Sequence, residues 1–187
     1  ATISTLLVGG FLIFSKQSLM IRGNKRDLLL LLLSGAVIGF NWMLLFEAYK
    51  YTSVSNATLS YYFSPVIVAI VCPLLFKEKL LVKQVFCFIM STLGLLLLVG
   101  TAGGGSRDII GIIFGLGAAV LYATVVLMNK FIESVTGIHR TFFQFLSAGI
   151  VLLPYVAFSN GISLEGLDFN AWTNLLLVGI VHTGITY

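Results

Sequence analysis

The feature that most constrains this chain is a succession of apolar runs, each close to the length of a membrane crossing. Spanning ~30 Å of hydrocarbon takes ~20 helical residues at ~1.5 Å each. Residues 28–49, 55–76, 85–100, 109–129 and 141–158 approach that length, and partial spans occupy 1–14 and the stretch from 171 onward. Lipid offers no partner to a backbone N–H or C=O, so runs of this kind are expected to be helices. Hydrophobic residues make up 58% of the chain and charged residues 10%, which excludes a soluble domain and predicts an all-α, polytopic transmembrane bundle. The net charge of +4 does not point to nucleic acid, because the basic residues form short clusters between apolar runs. Cys72 and Cys87 fall inside apolar segments and read as small buried hydrophobes, not as a disulfide or a metal site. The opening ATISTLLVGGFLIF lacks the basic region and cleavage site of a signal peptide. Both ends break off in apolar sequence, as expected of a piece of a longer chain.

Charge predicts sidedness. With spans alternating in direction, Lys16, Arg22, Lys25, Arg26, Lys77, Lys79, Lys83, Lys130 and Arg140 share one side, leaving Lys50 and Arg107 on the other. Positive residues accumulate in the cytoplasm. The KEKLLVK and NKFIESVTGIHR loops are therefore cytoplasmic, and the glycine-rich TAGGGSRD and the acidic SNGISLEGLDFN lie outside. LLLSGAVIGFNW at 31–42 also resembles LLLVGIVHTGITY at 175–187, with Gly35 aligned to Gly179 and Gly39 to Thr183. On the charge topology these two helices run in opposite directions, the mark of an inverted repeat.

The run FNWMLLFEAYKYTSVSNATLSYYFSPVIVAIVCPLLFKEKL resembles the third and fourth helices of the EamA branch of the drug/metabolite transporter superfamily. The residues that carry the resemblance are Ala48 to Lys50 closing one helix, Ser64-Pro65 inside the next, and Glu78 in the basic turn after it. GIIFGLGAAVLY, from Gly111 to Tyr122, resembles that family's sixth helix. The resemblance implies a ten-helix architecture of two inverted repeats, of which this chain holds roughly the second to eighth helices. The first repeat then occupies residues 1–101, a glycine-rich linker 102–108 and the second repeat 109–187. The first, ninth and tenth helices of the family pattern are not in the sequence.

Depth filters the candidate site residues, because polar groups near the bilayer centre need partners there while those near helix ends reach water. Ser64 and Pro65 sit at the middle of their span, Asn41 and Tyr122 lie close to the middle of theirs, and His182 and Thr183 are central in a last span of normal length. Pro65 has no N–H and crowds the Tyr61 carbonyl, which predicts a kink. Ser53, Asn56, Ser60 and Ser64 follow at helical spacing, as either a packing face or a cavity lining. Asn41 shares a face with Ser34 and is expected in a cavity or an interhelical hydrogen bond. Tyr61, Tyr62, Tyr122 and Tyr187 offer hydroxyls with aromatic faces, and Gln144 is a polar group within an apolar span. Glu47 lies near a helix end with Lys50 three residues on, so an interfacial ion pair is expected. Glu78, between Lys77 and Lys79, reads as a cytoplasmic cap. His182 titrates ordinarily near neutrality and offers proton coupling; its alternative is a packing histidine. Gly111, Gly115 and Ala119 predict a small-residue ridge for close helix approach. GTAGGG lacks the lysine-serine or lysine-threonine pair of a phosphate loop and reads as a linker.

These observations predict a secondary-type carrier of a small organic solute, working by alternating access around a midplane cavity. Midplane depth holds no basic residue, so a neutral or zwitterionic, amino-acid-like solute is expected. The substrate-binding set is Asn41, Tyr61, Ser64, Pro65, Tyr122, Gln144, His182, Thr183 and Tyr187. No enzyme is expected, since no nucleophile with its base, carboxylate cluster or metal set is visible. The alternatives are a non-transporting membrane scaffold and a carrier of an anionic nucleotide- or phosphate-linked solute. The expected partners are the solute, the lipid bilayer and protons as a coupling ion, with no nucleic acid, cofactor or metal, and with the oligomeric state left open. The expected location is a bacterial inner membrane.

Overall fold

The computed structural model describes residues 9–10, 25–77, 82–101, 106–132, 135, 137–158 and 172–173. Among the described residues six helices follow one another: α1 Lys25–Tyr51, α2 Val54–Tyr61, α3 Ser64–Phe76, α4 Val82–Thr101, α5 Ser106–Phe131 and α6 Gly137–Phe158. No strand occurs among the described residues. Among the described residues four stretches, Lys25–Tyr51, Val54–Phe76, Ser106–Phe131 and Gly137–Phe158, are long and apolar enough to cross a bilayer. The α4 helix adds a shorter apolar stretch, Val82–Gly94.

Side chains are distributed as lipid, not water, would sort them. Leu29, Leu33, Phe40, Leu74, Leu97, Ile113 and Leu153 are exposed, whereas Ser34, Asn41, Ser60, Ser64, Gln144 and Ser147 are buried with several alanines. Lipid tails solvate large apolar chains, so helix contact surfaces are left to small and hydrogen-bonding residues. This is an integral membrane protein.

The span expected over 55–76 is broken, not merely kinked. Ser53 caps α2, its Oγ accepting from the Asn56 N–H at 3.2 Å. The helix ends at Tyr61, where the Tyr62 N–H reaches the Thr58 carbonyl at 2.9 Å and the Phe63 N–H turns back to Ser60 at 3.2 Å. The Phe63 carbonyl then receives both the Val66 and Ile67 N–H groups, at 3.0 and 3.2 Å, and starts α3. Pro65 sits in the first positions of α3, where its missing N–H is tolerated and its fixed φ suits the helix. Along the serine face Ser60 and Ser64, on either side of the break, are both buried, whereas Ser53 is an exposed cap. At the other end of α3, Lys77 adopts φ 55° in the left-handed region and donates its N–H to the Pro73 carbonyl, a helix stop usually given to glycine. Residues 106–108, read from sequence as part of the linker, instead open α5, with Asp108 in its first turn, where a carboxylate complements the helix dipole.

The chain divides into two compact units, one of Ala1–Gly39 with Met128–Tyr187, the other Phe40–Leu127. In the first, α1 and α6 meet so closely at Gly35 that an added Cβ would stand 2.6 Å from the Gln144 carbonyl oxygen. Leu31, Ile132 and Val135 form its small apolar core, flanked by Leu30 and Phe143. Arg140 holds the turn between α5 and α6, donating from Nε to the Val135 carbonyl at 3.0 Å and from Nη2 to that of Ile132 at 2.7 Å.

In the second unit, α5 presents the small-residue ridge expected from its sequence. Gly111, Gly115, Ala118 and Ala119 are buried along one side. A Cβ at Gly111 would strike Thr52, and one at Gly115 would lie 2.9 Å from Ser60 Cβ and 3.0 Å from the Ala57 carbonyl oxygen. Between these contacts Tyr51 stacks on Phe114 with ring centroids 5.5 Å apart.

Candidate functional site

The candidate site lies in the second unit, where α5 passes α1 and α2. Asn41 of α1 is 1% exposed. Its Nδ2 donates to the Ala118 carbonyl of α5 at 2.5 Å. Leu44, one turn further along α1, lies against Gly117; this short-chain stretch of α5 lets the asparagine reach the backbone. One turn beyond Ala118, Tyr122 meets the ring of Tyr61 edge-on at 5.6 Å between centroids, a geometry that suits the charge distribution of aromatic rings. Tyr61 is the last residue of α2, so the helix break places its ring. Ser64, at the start of α3, is 3% exposed. Asn41, Ser64 and the Tyr61–Tyr122 pair thus belong to one compact unit, and the Ala118 carbonyl that Asn41 of α1 meets belongs to the α5 turn just before Tyr122.

Pro65 parts from its neighbour. Ser64 is buried but Pro65 is exposed, and its ring borders a different space, a groove of about 300 Å³ with Tyr62 and Ala69 on one wall and Gln84, Cys87 and Ser91 of α4 on the other. Its contribution to the Asn41 site is therefore indirect, through the helix break that turns Tyr61. The Glu47–Lys50 ion pair expected near the end of α1 is present at 2.6 Å, partly exposed and therefore of small energetic weight.

Gln144 belongs to the first unit. It is 7% exposed, and its Nε2 donates to Ser34 Oγ and to Asn129 Oδ1, each at 2.7 Å. Ser34 Oγ passes its own proton to the Leu31 carbonyl at 2.8 Å, and Ser147 Oγ donates to the Leu32 carbonyl at 2.7 Å. With both amide hydrogens engaged, Gln144 ties α1, α5 and α6 together. His182, Thr183 and Tyr187, the remaining expected site residues, lie outside the described residues, as do Glu78 and the repeat at 175–187.

Asn129, Ser147 and the Ala118 carbonyl escaped the sequence reading. Asn129 lies beside Lys130 at the end of a span, where polarity signals the interface; its spacing of two turns from Tyr122 was the available cue. The Ala118 carbonyl, a backbone group, leaves no trace in residue type. Among the described residues, no three His, Cys, Asp or Glu side chains gather as metal ligands.

The chain matches the EamA-like transporter family over residues 1–100 and 109–187. It is 33% identical to the uncharacterized transporter YxxF of Bacillus subtilis (strain 168), over 98% of this chain and 59% of that protein. An uncharacterized transporter of Clostridium kluyveri is 29% identical over 91% of this chain and 57% of its own length. The chain thus spans under two thirds of the length of these relatives. No solved structure matches it. With a match that leaves out only eight residues between its two segments, the chain belongs to the EamA-like transporter family.

Proposed function

We propose that the protein is a secondary-type carrier of a small neutral or zwitterionic organic solute, amino-acid-like in size and polarity, and not an enzyme. Family membership and the bacterial relatives support a transporter of a bacterial inner membrane. One observation carries the choice of solute: the buried polar side chains among the described residues, Ser34, Asn41, Thr52, Ser60, Ser64, Gln144 and Ser147, are all uncharged. A phosphate or nucleotide moved past such groups would leave its hydration without gaining a counter-charge, a cost of several kcal/mol for each ion. A neutral solute loses only hydrogen bonds, which amides, hydroxyls and aromatic edges replace.

Within this reading Asn41, Tyr61, Ser64 and Tyr122 contact the solute, while Pro65 and Gln144 shape and brace the helices around it. Thr183 and Tyr187 stay in the proposed set on depth alone, as does His182, which supplies proton coupling. The test is uptake by the full-length protein in proteoliposomes. Amino acids are expected to accumulate in response to a proton gradient, with His182→Gln flattening the pH dependence. Uptake of sugar nucleotides but not of amino acids would sink the proposal; an unchanged proton dependence in His182→Gln removes the histidine alone.

A further inference from the structure

The amide of Asn41 is only half used. Nδ2 donates to the Ala118 carbonyl, and because only the nitrogen end can meet a carbonyl, this bond sets the orientation of the whole amide. Oδ1 is buried and has no hydrogen-bond partner among the described residues. The Ala118 carbonyl does not depend on Asn41, since α5 continues through Tyr122, whose N–H stands at the ladder position four residues on. The Nδ2 bond therefore serves to aim an acceptor. A buried acceptor without a donor is unfavourable in protein and more so in lipid, where water is not at hand. Leucine, with the same branching and number of side-chain heavy atoms, would carry no such unpartnered oxygen.

What surrounds this oxygen defines what would satisfy it. Tyr122 stands ~6 Å further along α5 on the same side as Ala118, edge-on to Tyr61. Tyrosine ring faces are electron-rich and attract cations. A carbonyl oxygen held at Ala118, one helical turn from this ring pair, is complementary to an N–H-bearing group, an ammonium above all, and repels a carboxylate or phosphate.

We propose that Asn41 Oδ1 is the specificity-determining contact for an N–H-bearing head group of the solute, which the Tyr61–Tyr122 pair flanks. This rests on the carrier reading and goes beyond it by naming the acceptor atom and the end of the solute that meets it.

The experiment measures equilibrium binding to the full-length protein in detergent, by competition and by ligand-induced thermal stabilisation, for wild type and Asn41→Leu. The probes are the proteinogenic amino acids. Each one that binds is compared with its des-amino acid, which lacks the nitrogen, and with its N-trimethyl betaine, which keeps the charge but has no N–H. In wild type both analogues are expected to bind about tenfold or more weakly than the amino acid, the weight of one hydrogen bond. In Asn41→Leu the gap between amino acid and betaine is expected to close. A betaine that binds wild type as tightly as its parent, or a gap of the same size in Asn41→Leu, overturns the Asn41 contact and leaves the carrier reading standing. No binding by any amino acid to folded wild-type protein overturns both. Should Asn41→Leu fail to insert, the wild-type comparison of amino acid with betaine decides alone.

Discussion

A methyl group is enough to test how closely α1 and α6 approach. At Gly35 it would meet the Gln144 carbonyl oxygen at 2.6 Å and the Gln144 Cα at 2.9 Å, backbone atoms that cannot swing aside. Gly35→Ala is therefore expected to destabilise by about 1–3 kcal/mol, the usual cost of overpacking, read as a lower melting temperature in detergent. Gly149→Ala in α6 is the control: nothing lies within 4 Å of its Cβ position, so the change should be neutral or gain up to ~1 kcal/mol of helix propensity. Equal losses at both positions would refute the close approach. Gln144→Leu probes the polar tie beside it. The substitution leaves Asn129 Oδ1 without the donor it has at 2.7 Å, and a loss of about 1–2 kcal/mol is expected. In a double-mutant cycle with Asn129→Leu the two losses should not add; strict additivity would show that the bond carries no weight. Gln144 and Asn41 looked alike in sequence, each an amide in an apolar span. Their roles divide on the number of polar neighbours each amide finds, which is set by contacts far apart along the chain and is invisible in the residues alone.

At the scale of the element, Pro65 was legible and its effect was not. Its missing N–H predicted a kink at the Tyr61 carbonyl, and the structure goes further, ending α2 at Tyr61 and restarting at Ser64. Residue type announces a lost hydrogen bond. Whether the ladder bends or breaks depends on the substitutes available, here the turn of Phe63 N–H to Ser60 and the double use of the Phe63 carbonyl. The ends at Phe76 and Phe158 match the expected spans, while other helix ends lie up to four residues further out, because polar residues such as Lys25 and Ser106 extend helices that sequence hydropathy closes early. Pro65→Ala restores the N–H and is expected to let α2 and α3 join. Hydrogen exchange would slow over residues 61–66, and solute binding would fall as the Tyr61 ring loses its placement. Unchanged exchange there would show that the break is held by neighbouring helices instead. Lys77 offers the opposite change. Its left-handed φ of 55° costs a non-glycine residue about 1 kcal/mol, so Lys77→Gly should stabilise the fold by a comparable amount in a thermal melt. No gain would mean that the lysine side chain recovers the cost at that helix end.

The whole molecule was the most legible scale, because one solvent property, the inability of lipid to pair backbone groups, acts on every span at once. Apolar runs became helices, and large side chains such as Leu33 and Leu153 turned outward while Ser34 and Ser147 turned in. The sidedness expected from the sequence rests on a second global property, the retention of basic loops in the cytoplasm. Nine of the eleven lysines and arginines fall on one side of the alternating topology, and this makes a prediction independent of any substrate. In a background carrying Cys72→Ala and Cys87→Ala, single cysteines would be placed at Asn24 and Ser106, on opposite sides of the proposed topology and without altering a charge. A membrane-impermeant maleimide applied to intact spheroplasts should label Ser106→Cys, and should reach Asn24→Cys only after lysis. Neutralising Lys25 and Arg26 together with Lys77, Lys79 and Lys83 removes over half of the bias, and should yield a mixed population in which both positions react before lysis. Labelling of Asn24→Cys alone in spheroplasts would invert the orientation, placing the KEKLLVK loop outside; labelling of both positions in the unaltered charge background would mean that the count of crossings between them is wrong.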